Sequence, residues 1–377
     1  MPDKKPSGLE NVVVAESAIC FIDGQRGQLV YRGYDIDDLA QNASFEEVAF
    51  LLWNDALPTK TQLDELRAEL YEASVLPARL LTVLQSLPFD ANPMRVLEIG
   101  VAALGTFDPE ADDIGDDANR KKAIRLMAQL PLIVTTWHRI RNDKLPIDAE
   151  VGKSLAYNFL KMLGEREPDE YSTEVFDAAL ILHADHELNA STFAARVTAA
   201  TQSDLHSAIV SAIATLKGPL HGGANEAVMN MLMEIGEVEN AESYVQNLIA
   251  QKKKVMGFGH RVYKAKDPRA VVLEKMSQEL GERLGDTKWI EMSRRVEATF
   301  QPTVAEKGIF PNVDFYSASA YHVLGIPRDL FTPIFACSRV TGWCAHLLEQ
   351  YANNRLFRPD SNYVGKSGLK YAPITER

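Results

Sequence analysis

Apolar residues recur at helical spacing through most of the chain, and this pattern limits the fold to a nearly all-α architecture. Leu63, Leu66 and Leu70 follow one another at intervals of three and four residues, which places them on one face of a helix. Ser44 and Glu47 have the spacing of a capping box, the signature of a helix N-terminus. Further periodic stretches predict helices over residues 120–140, 151–163, 176–200, 205–217, 226–250, 268–300 and 333–351.

Strand-like sequence is concentrated between Ala18 and Tyr34. Two short runs there, 19–22 and 29–31, are rich in β-branched and aromatic residues and are separated by glycines. Such a pair of runs is typical of a β-hairpin. The sequence therefore predicts one small hairpin near the N-terminus of an otherwise helical protein.

The length and the net charge of the chain limit its possible domain organisation and its possible partners. A chain of 377 residues is longer than most single hydrophobic cores require, so two domains are expected. No internal repeat, low-complexity tract or linker separates two halves, and a second domain would therefore be an insertion into the first. The net charge is −12 without a concentrated basic stripe, which argues against nucleic acid or an anionic membrane surface as the main partner.

The cysteines and the N-terminal sequence point to a reducing compartment. Cys20, Cys337 and Cys344 cannot all pair and do not have the spacing of a metal site, so we expect buried free thiols. The first eight residues lack the apolar core of a secretory signal, and no run of about 18 apolar residues occurs. These features predict a cytoplasmic protein.

Two histidines that stand among glycines, followed by an acid, make residues 218–314 a candidate site. Glycine removes the side chains that would bury a neighbouring imidazole, so His221 and His260 are presented rather than packed. Either histidine alone is equally well explained as an ordinary turn residue; the two together with Asp314 favour a site. The phrases are Gly218-Pro219-Leu220-His221-Gly222-Gly223-Ala224-Asn225, Gly257-Phe258-Gly259-His260-Arg261 and Asn312-Val313-Asp314.

A further histidine pair, His183 and His186, lies in an alanine-rich region. At positions i and i+3 the two would share a helix face, which raises a zinc site as a hypothesis. Their order matches no zinc-protease motif, and no third ligand stands at a family spacing. We therefore favour hydrogen-bonding histidines near a helix end and predict no metal site.

Three arginines are candidates for binding an anionic substrate. Arg269 follows an Asp-Pro pair, Arg339 is expected at the start of a helix, and Arg358 precedes a proline. Most arginines are ordinary surface cations. A substrate with two carboxylates, however, needs several bidentate forks, and arginine is the side chain whose geometry supplies them.

The three phrases around His221, His260 and Asp314 resemble those of citrate synthases. The similarity continues over nearly the whole chain in the same order and spacing. It includes Ile22-Asp23-Gly24, Tyr31-Arg32-Gly33-Tyr34, Phe45-Glu46-Glu47-Val48 and His183-Ala184-Asp185-His186-Glu187-Leu188-Asn189-Ala190-Ser191-Thr192.

This resemblance implies a two-domain, mostly helical homodimer with a small N-terminal hairpin. A large domain, residues 1–216 and 321–377, would hold an inserted small domain, residues 217–320. The active site would lie in the cleft between them, and closure over oxaloacetate would complete the surface that binds acetyl-CoA. The chain lacks the N-terminal extension of the hexameric, NADH-inhibited relatives, so regulation by NADH is not expected.

The resemblance also implies roles for individual residues. His221, His260 and Asp314 correspond to the catalytic trio. His186, Arg269 and Arg339 correspond to ligands of oxaloacetate, and Arg358 to an arginine that the partner subunit supplies. The backbone stretch that contacts coenzyme A corresponds to Lys254, Val255, Met256, Gly257, Phe258 and Gly259. The nearby cations are either a solvated surface or partners of the coenzyme phosphates: Lys252, Lys253, Lys254, Arg261, Lys264 and Lys266.

The chemistry of such a condensation calls for these residue types. An aspartate with an ordinary pKa of about 3.9 is a weak base unless burial raises that pKa, and Asp314 is followed by two aromatic residues. A neutral His221 donating to the thioester oxygen would stabilise the enolate. His260 would donate to the ketone oxygen of oxaloacetate as the new bond forms. The coenzyme A thioester is a substrate, and neither a metal nor a cofactor is implied.

Three alternatives stay open from the sequence. One is 2-methylcitrate synthesis from propionyl-CoA, because one added methylene is worth only about 1–3 kcal/mol of discrimination. The second is a metallohydrolase built on the His183 and His186 pair. The third is a non-catalytic helical scaffold, which would give no reason for the placement of His221, His260 and Asp314.

Overall fold

The computed structural model describes residues 8–9, 12–164 and 167–377 and confirms the predicted, mainly α-helical fold. The N-terminal end of the proposed large domain, residues 1–7, lies outside the described residues. The strands are β1 (Cys20–Asp23), β2 (Gln28–Tyr31) and β3 (Tyr34–Asp35). The helices are α1 (Ile36–Asn42), α2 (Phe45–Asn54), α3 (Lys60–Ala73), α4 (Ala78–Ser86), α5 (Pro93–Phe107), α6 (Asp116–Ile140), α7 (Leu155–Leu163), α8 (Glu170–His183), α9 (Ala190–Ala199), α10 (Leu205–Leu216), α11 (Ala224–Ile235), α12 (Ala241–Ala250), α13 (Pro268–Leu284), α14 (Lys288–Val304), α15 (Val313–Val323) and α16 (Phe331–Ala352).

The N-terminal sheet has one strand more than the predicted hairpin. β1 pairs antiparallel with β2, with Cys20 opposite Tyr31, and β2 pairs antiparallel with the two-residue β3. Arg32 and Gly33 lie between β2 and β3 with φ values of 47° and 90°. Positive φ at both central residues is the geometry that reverses a chain in a tight hairpin. The predicted hairpin is confirmed as β1 and β2, and the added strand β3 could not be predicted because a two-residue strand leaves no periodic signal.

Helix α16 is the centre of the fold. Every residue from Phe331 to Leu348 is buried, and a helix that is buried on all sides must be surrounded by other elements. Helices α2, α6, α8, α9 and α10 pack around it. This burial makes the one arginine on the helix, Arg339, a buried cation.

The alanine-rich stretch 176–200, predicted as one long helix, is two helices. α8 ends at His183 and α9 begins at Ala190. The side chain of Asn189 caps α9 by accepting hydrogen bonds from the N–H groups of Ser191 and Thr192, and Glu187 has a left-handed φ of 49°. The connecting loop, residues 184–189, carries His186.

Two other long periodic stretches are likewise divided. The stretch 226–250 contains α11 and α12, separated by Gly236 and the 3-10 helix Val238–Asn240. The stretch 268–300 contains α13 and α14, and α13 is followed by Gly285 in the left-handed conformation that closes many helices. Helices α11 to α15 pack against one another, with α13 and α11 both lying on α15.

The last described segment, residues 353–377, leaves the helical body. It contains only the 3-10 helix Ile374–Glu376, and nearly all of its residues are exposed. Several large apolar side chains on it are at least half exposed: Leu356, Tyr363, Val364, Leu369, Tyr371 and Ile374. A run of exposed apolar side chains of this size is a surface that other protein can cover.

The cysteines and the lengths of the helices bear on the sequence predictions. All three cysteines are free, and Cys337 and Cys344 are buried on α16, as expected. Cys20 is only half-buried, because it lies on β1 of the small N-terminal sheet. No helix in the described part of the chain is long and apolar enough to cross a membrane.

The capping box at the start of α2 offers a test of the fold. Ser44 accepts from the Glu47 N–H, and the Glu47 carboxylate accepts in turn from the Ser44 N–H at 2.8 Å. We expect Ser44→Ala to lower the free energy of unfolding by about 1 kcal/mol, measured from the midpoint of urea denaturation. Ser44→Thr keeps the hydroxyl and is expected to lose much less. Equal losses in the two variants would contradict this role of the hydroxyl.

Candidate active site

His260 lies in the loop between α12 and α13 and is held as a neutral hydrogen-bond donor. Its Nδ1 accepts from the backbone N–H groups of Val262 at 3.1 Å and Tyr263 at 3.3 Å. Because backbone N–H groups only donate, the ring proton is on Nε2. Burial, with a smaller contribution from Arg269, lowers the pKa of His260 to about 4. The imidazole is therefore neutral at pH 7, with its Nε2–H free to donate.

His186 faces His260 from the loop between α8 and α9. The two ring centroids are 5.0 Å apart, and the His186 Nε2 lies 3.2 Å from the Tyr263 hydroxyl. Burial lowers the pKa of His186 well below its ordinary value, and the nearby Arg269 lowers it further. The structure thus brings His186 and His260, 74 positions apart in sequence, into direct contact, and the Tyr263 ring packs against both of them.

A buried polar network fixes the loop that carries His186. The carboxylate of Asp185 accepts from His346 Nε2 at 3.3 Å, and His346 Nδ1 lies 3.2 Å from Arg196. A guanidinium only donates, so Nδ1 of His346 is an acceptor and its Nε2 carries the proton given to Asp185. On α16, Gly342 donates its N–H to the Ala184 carbonyl at 3.1 Å. A Cβ at Gly342 would lie 2.3 Å from that oxygen, so the loop approaches the helix as closely as only glycine allows.

His183 and His186 are not arranged as the zinc hypothesis requires. His183 is the last residue of α8, where its Nδ1 donates to the Ala179 carbonyl at 2.7 Å, while His186 lies in the loop beyond. The two therefore do not share a helix face. Within residues 8–9, 12–164 and 167–377, no group of three or more His, Cys, Asp or Glu side chains is placed to hold a metal ion.

Arg269 is presented from the first turn of α13. Asp267 caps this helix, Pro268 occupies its first position, and the Asp267 side chain accepts from the Arg269 N–H. The same carboxylate engages the guanidinium through Nε at 3.0 Å and Nη2 at 2.8 Å. Arg269 is only 2% exposed, and burying an arginine is tolerable because this bidentate pair compensates its charge.

Arg339 lies in the middle of α16 and not at a helix start, as the sequence had suggested. The helix begins at Phe331, more than one and a half turns before Cys337. Arg339 Nε donates to the His183 carbonyl at 2.6 Å, and the guanidinium lies 4.6 Å from the Phe335 ring centroid. Among the described residues no carboxylate forms a salt bridge with it, so its Nη atoms are available to a ligand.

His221 lies in the loop before α11 and contacts α9. Its Nε2 is 2.9 Å from the Ser191 hydroxyl and 3.3 Å from the Ser191 N–H. The Trp343 indole of α16 donates to the same hydroxyl at 3.2 Å. Burial, followed by the positive charge of Arg339, lowers the pKa of His221 to about 4, so this imidazole is neutral as well.

Asp314 occupies the first turn of α15 and is tied to the stretch 257–259. Asn312 caps the helix by accepting from the Asp314 N–H at 3.1 Å, and its own amide donates to the Gly259 carbonyl at 3.1 Å. Burial raises the pKa of Asp314 to about 6, against the opposing effect of Arg269. A carboxylate with this pKa is a stronger base than an exposed aspartate and is still ionised at pH 7.

The stretch 254–259 lies beside the start of α15 and contains a turn at Met256 and Gly257. The Gly259 N–H donates to the Phe310 carbonyl, and the Asn312 N–H donates to the Gly257 carbonyl, both at 2.9 Å. Lys254 is exposed, Val255 and Gly257 are buried, and Met256, Phe258 and Gly259 are half-buried. The backbone of this stretch is thus fixed next to Asp314.

The structure distinguishes among the nearby cations. Lys266 is engaged by the carboxylates of Glu274 and Glu297, both at 2.9 Å, and it is therefore a poor candidate for a phosphate contact. The other members of the set are exposed: Lys252, Lys253, Lys254, Arg261 and Lys264.

Arg358 is not brought to the other candidate residues within one chain. It lies exposed on the C-terminal segment, where its Nη1 donates to the carbonyl of the adjacent Pro359 at 2.9 Å. Arg339 affects the pKa of His186, His221 and Asp314, whereas Arg358 affects none of them.

The sequence did not predict the contacts of four residues at the site: Tyr263 beside the two histidines, Asp267 on Arg269, and Ser191 with Trp343 at His221. Only Asp267 had a usable signal, because aspartate before proline is a common helix cap. Tyr263, Ser191 and Trp343 reach their partners across the fold, and neither composition nor periodicity reports such contacts.

A family model described as "Citrate synthase, C-terminal domain" matches residues 8–360. "Citrate synthase 2" of Bacillus subtilis (strain 168) is 52% identical over 98% of this chain and 98% of its own length. "2-methylcitrate synthase" of Shewanella oneidensis is 42% identical over the same shares of the two chains.

Solved structures of citrate synthases are also similar to this chain. The crystal structure of citrate synthase from Pyrobaculum aerophilum matches with a TM-score of 0.92 and 40% identity, over 98% of this chain and 95% of that one. The ternary complex of carboxymethyl coenzyme A and oxaloacetate with citrate synthase from Thermoplasma acidophilum matches with a TM-score of 0.92 and 33% identity, over 98% of both chains.

Proposed function

The chain belongs to the citrate synthase family, an acyltransferase family, and we propose that it joins the methyl carbon of acetyl-CoA to oxaloacetate and releases citrate and coenzyme A. The observation that carries this proposal is that two neutral histidines, His186 and His260, contact each other beside the buried Arg269, with the buried Arg339 also near His186. Such a site suits a dianionic substrate whose carbonyl must accept a hydrogen bond. The solved complex from Thermoplasma acidophilum, which holds oxaloacetate and a coenzyme A analogue, supports the choice of substrates.

In this proposal, Arg269, Arg339 and His186 bind oxaloacetate. Arg269 keeps its Nη1 free of the Asp267 pair, and Arg339 keeps both Nη atoms. Charge-assisted hydrogen bonds from a guanidinium to a carboxylate are among the stronger polar contacts in proteins. The neutral His186 adds a donor or acceptor without adding a further buried charge.

The first chemical step is removal of a proton from the thioester methyl. Asp314 is the proposed base, and its pKa of about 6 gives it more basicity than an exposed aspartate while it remains ionised at neutral pH. The enolate oxygen that develops needs a hydrogen-bond donor. The Ser191 N–H directed at Nε2 of His221 supports the tautomer with the proton on Nδ1, which can be given to that oxygen.

The second step is attack of the enolate carbon on the ketone of oxaloacetate. The ketone oxygen becomes an alkoxide and takes up a proton, for which the Nε2–H of His260 is the proposed source. The thioester intermediate is then hydrolysed, with water adding to the acyl carbon and coenzyme A leaving as the thiol. The backbone of Lys254, Val255, Met256, Gly257, Phe258 and Gly259 is proposed to hold the coenzyme beside Asp314.

The domain organisation belongs to the same proposal. A small domain of residues 217–320 would carry His221, His260 and Asp314, while His186 and Arg339 lie on the remainder of the chain, residues 1–216 and 321–377. The cleft between the two would be the site, and its closure would exclude water until the carbon bond has formed. The mutual packing of α11 to α15 supports this division.

We further propose a homodimer in which Arg358 enters the site of the partner subunit. Within one described chain the Arg358 side chain bonds to the adjacent Pro359 carbonyl and not to the other proposed ligands. This supports the proposal, as do the exposed apolar side chains of residues 353–377. Three free thiols support a cytoplasmic location, where disulfides seldom form.

Acetyl-CoA is the proposed main acyl donor, and propionyl-CoA is the second candidate. The 52% identity to a protein named citrate synthase, against 42% to one named 2-methylcitrate synthase, supports this order. The same catalytic trio would serve both donors, because the additional methyl group of propionyl-CoA does not take part in the chemistry.

The proposed function predicts thiol release that depends on both substrates. Purified protein with acetyl-CoA should release coenzyme A, detected with a thiol reagent, only when oxaloacetate is added. We expect kcat/KM for acetyl-CoA to exceed that for propionyl-CoA by about 10-fold or more, given about 1–3 kcal/mol per methylene. A higher value for propionyl-CoA would reverse the order of donors, and no release with either donor would refute the function.

The raised pKa of Asp314 predicts the pH dependence of the reaction. The base must be deprotonated, so kcat/KM should fall as pH falls through about 6, while His221 and His260, with pKa values of about 4, stay neutral over this range. Asp314→Asn should lower kcat by about 10²- to 10⁴-fold and abolish the limb near pH 6. If the fall in kcat/KM near pH 6 persists in this variant, another group and not Asp314 is responsible for it.

Mixing two inactive variants tests the position of Arg358. If Arg358 acts across the interface, a heterodimer of Asp314→Asn and Arg358→Ala subunits has one site in which both residues are native. Co-refolded equal mixtures should then recover about a quarter of the wild-type activity, because half of the dimers are mixed and each has one intact site. If Arg358 acts within its own chain, every site carries one substitution and the mixture stays inactive.

A further inference from the structure

The hairpin formed by β1 and β2 contacts both loops that carry the facing histidines. At one end, the Ile22 N–H donates to the Glu187 carboxylate at 2.7 Å, next to His186. At the other, the Lys264 N–H donates to the Gly24 carbonyl at 2.8 Å, in the loop that carries His260. The sheet therefore bridges two segments that lie on different parts of the chain.

Gly24 approaches the second loop more closely than any other residue type permits. A Cβ at this position would lie 2.2 Å from the Val262 carbonyl oxygen and 2.8 Å from its carbon. Both are backbone atoms, so the contact is relieved only if the loop itself moves. The φ of Gly24 lies outside the left-handed region, and the need for glycine comes from this approach and not from the conformation of the turn.

Gly27 makes a second contact of the same kind. A Cβ there would lie 2.8 Å from the Lys266 carbonyl oxygen. The loop from Val262 to Lys266 is thus held against the turn at both of its ends. His260 shares this constraint, because its Nδ1 accepts from the Val262 and Tyr263 N–H groups.

We propose that Gly24 is a positioning residue that sets the separation of His260 and His186. The turn allows the His260 loop to approach until the backbones touch, and the Glu187 contact holds the His186 loop to the same sheet. This proposal rests on the proposed function, since it assigns the turn a part in placing the group that protonates the ketone. A side chain at position 24 would move the His260 loop by about 1 Å or more, and a displacement of that size at a catalytic group costs about 10²-fold in rate.

Gly24→Ala tests this proposal, with Gly33→Ala as its matched control. Gly33 lies in the same sheet between β2 and β3, at φ 90°, and a Cβ there has no atom within 4 Å. Its substitution strains the sheet without touching either histidine loop. We expect Gly24→Ala to lower kcat/KM for oxaloacetate by about 10²-fold and Gly33→Ala to leave it within about threefold of wild type.

The stabilisation that oxaloacetate gives to the protein separates positioning from a general loss of stability. A ligand that binds only the folded state raises Tm, and at a fixed ligand concentration the rise is larger when the ligand binds more tightly. Gly24→Ala should show a smaller rise than wild type, whereas Gly33→Ala should lower Tm without ligand yet keep the full rise. Equal kinetic losses in the two variants, or unchanged kinetics in a folded Gly24→Ala protein, would overturn the proposal.

Gly27→Ala keeps the test decisive if Gly24→Ala does not fold. Gly27 has φ 66° and Gly33 has φ 90°, so both substitutions introduce left-handed strain, but only the first also meets the His260 loop. Gly27→Ala is expected to lose activity beyond Gly33→Ala, and parity between them would overturn the proposal. Thiol release by the wild-type protein, measured alongside, shows separately whether the proposed function itself holds.

Discussion

The burial of the Arg339 guanidinium at the centre of the protein is the constraint around which the site is arranged. Arg339 is 1% exposed on a helix that is buried on every side, and no carboxylate of the described chain pairs with it. A buried cation without a partner is costly, so its surroundings must be dipolar or neutral. The His183 carbonyl accepts from it, and burial together with this positive charge keeps His186 and His221 neutral. An anionic ligand would neutralise the remaining charge of Arg339. A protein with a negative net charge can in this way contain a local site that binds anions.

Three helix caps place the remaining groups with one shared geometry. Asn189, Asp267 and Asn312 each accept, through the side chain, from the N–H group two residues later. The residues at those positions are Ser191, Arg269 and Asp314. Ser191 contacts His221, while Arg269 and Asp314 are themselves site residues. An Asx cap fixes the first turn of a helix, so these groups inherit the rigidity of α9, α13 and α15 although each lies beside a loop.

The sequence was sufficient to predict the helical class, the capping box at Ser44 and Glu47, and the histidine, arginine and aspartate residues of the candidate site. It was insufficient where structure depends on contacts between distant segments. Alanine is compatible with continuous helix, so the break at residues 184–189 was invisible to periodicity, although Asn189 is a good cap. The pairing of His186 with Tyr263 depends on how the loop after α12 folds back over the loop after α8. Only the resemblance to a family, not spacing, linked His186 to His260 before the structure was known.

The donor groups left free in one chain indicate why a second subunit is part of the proposed site. Asp267 occupies the Nε and Nη2 edge of Arg269, and the His183 carbonyl occupies Nε of Arg339. Each of the two guanidinium groups therefore has only part of its N–H donors left for the substrate. Oxaloacetate has two carboxylates and a ketone to satisfy, and unsatisfied charged groups in a closed cleft are strongly unfavourable. Arg358, whose guanidinium makes one hydrogen bond to a neighbouring carbonyl, retains an almost complete fork. Arg358 lies on an exposed apolar segment that a second subunit would cover. The same association would bring the Arg358 guanidinium to the substrate, so substrate binding and subunit association would favour each other.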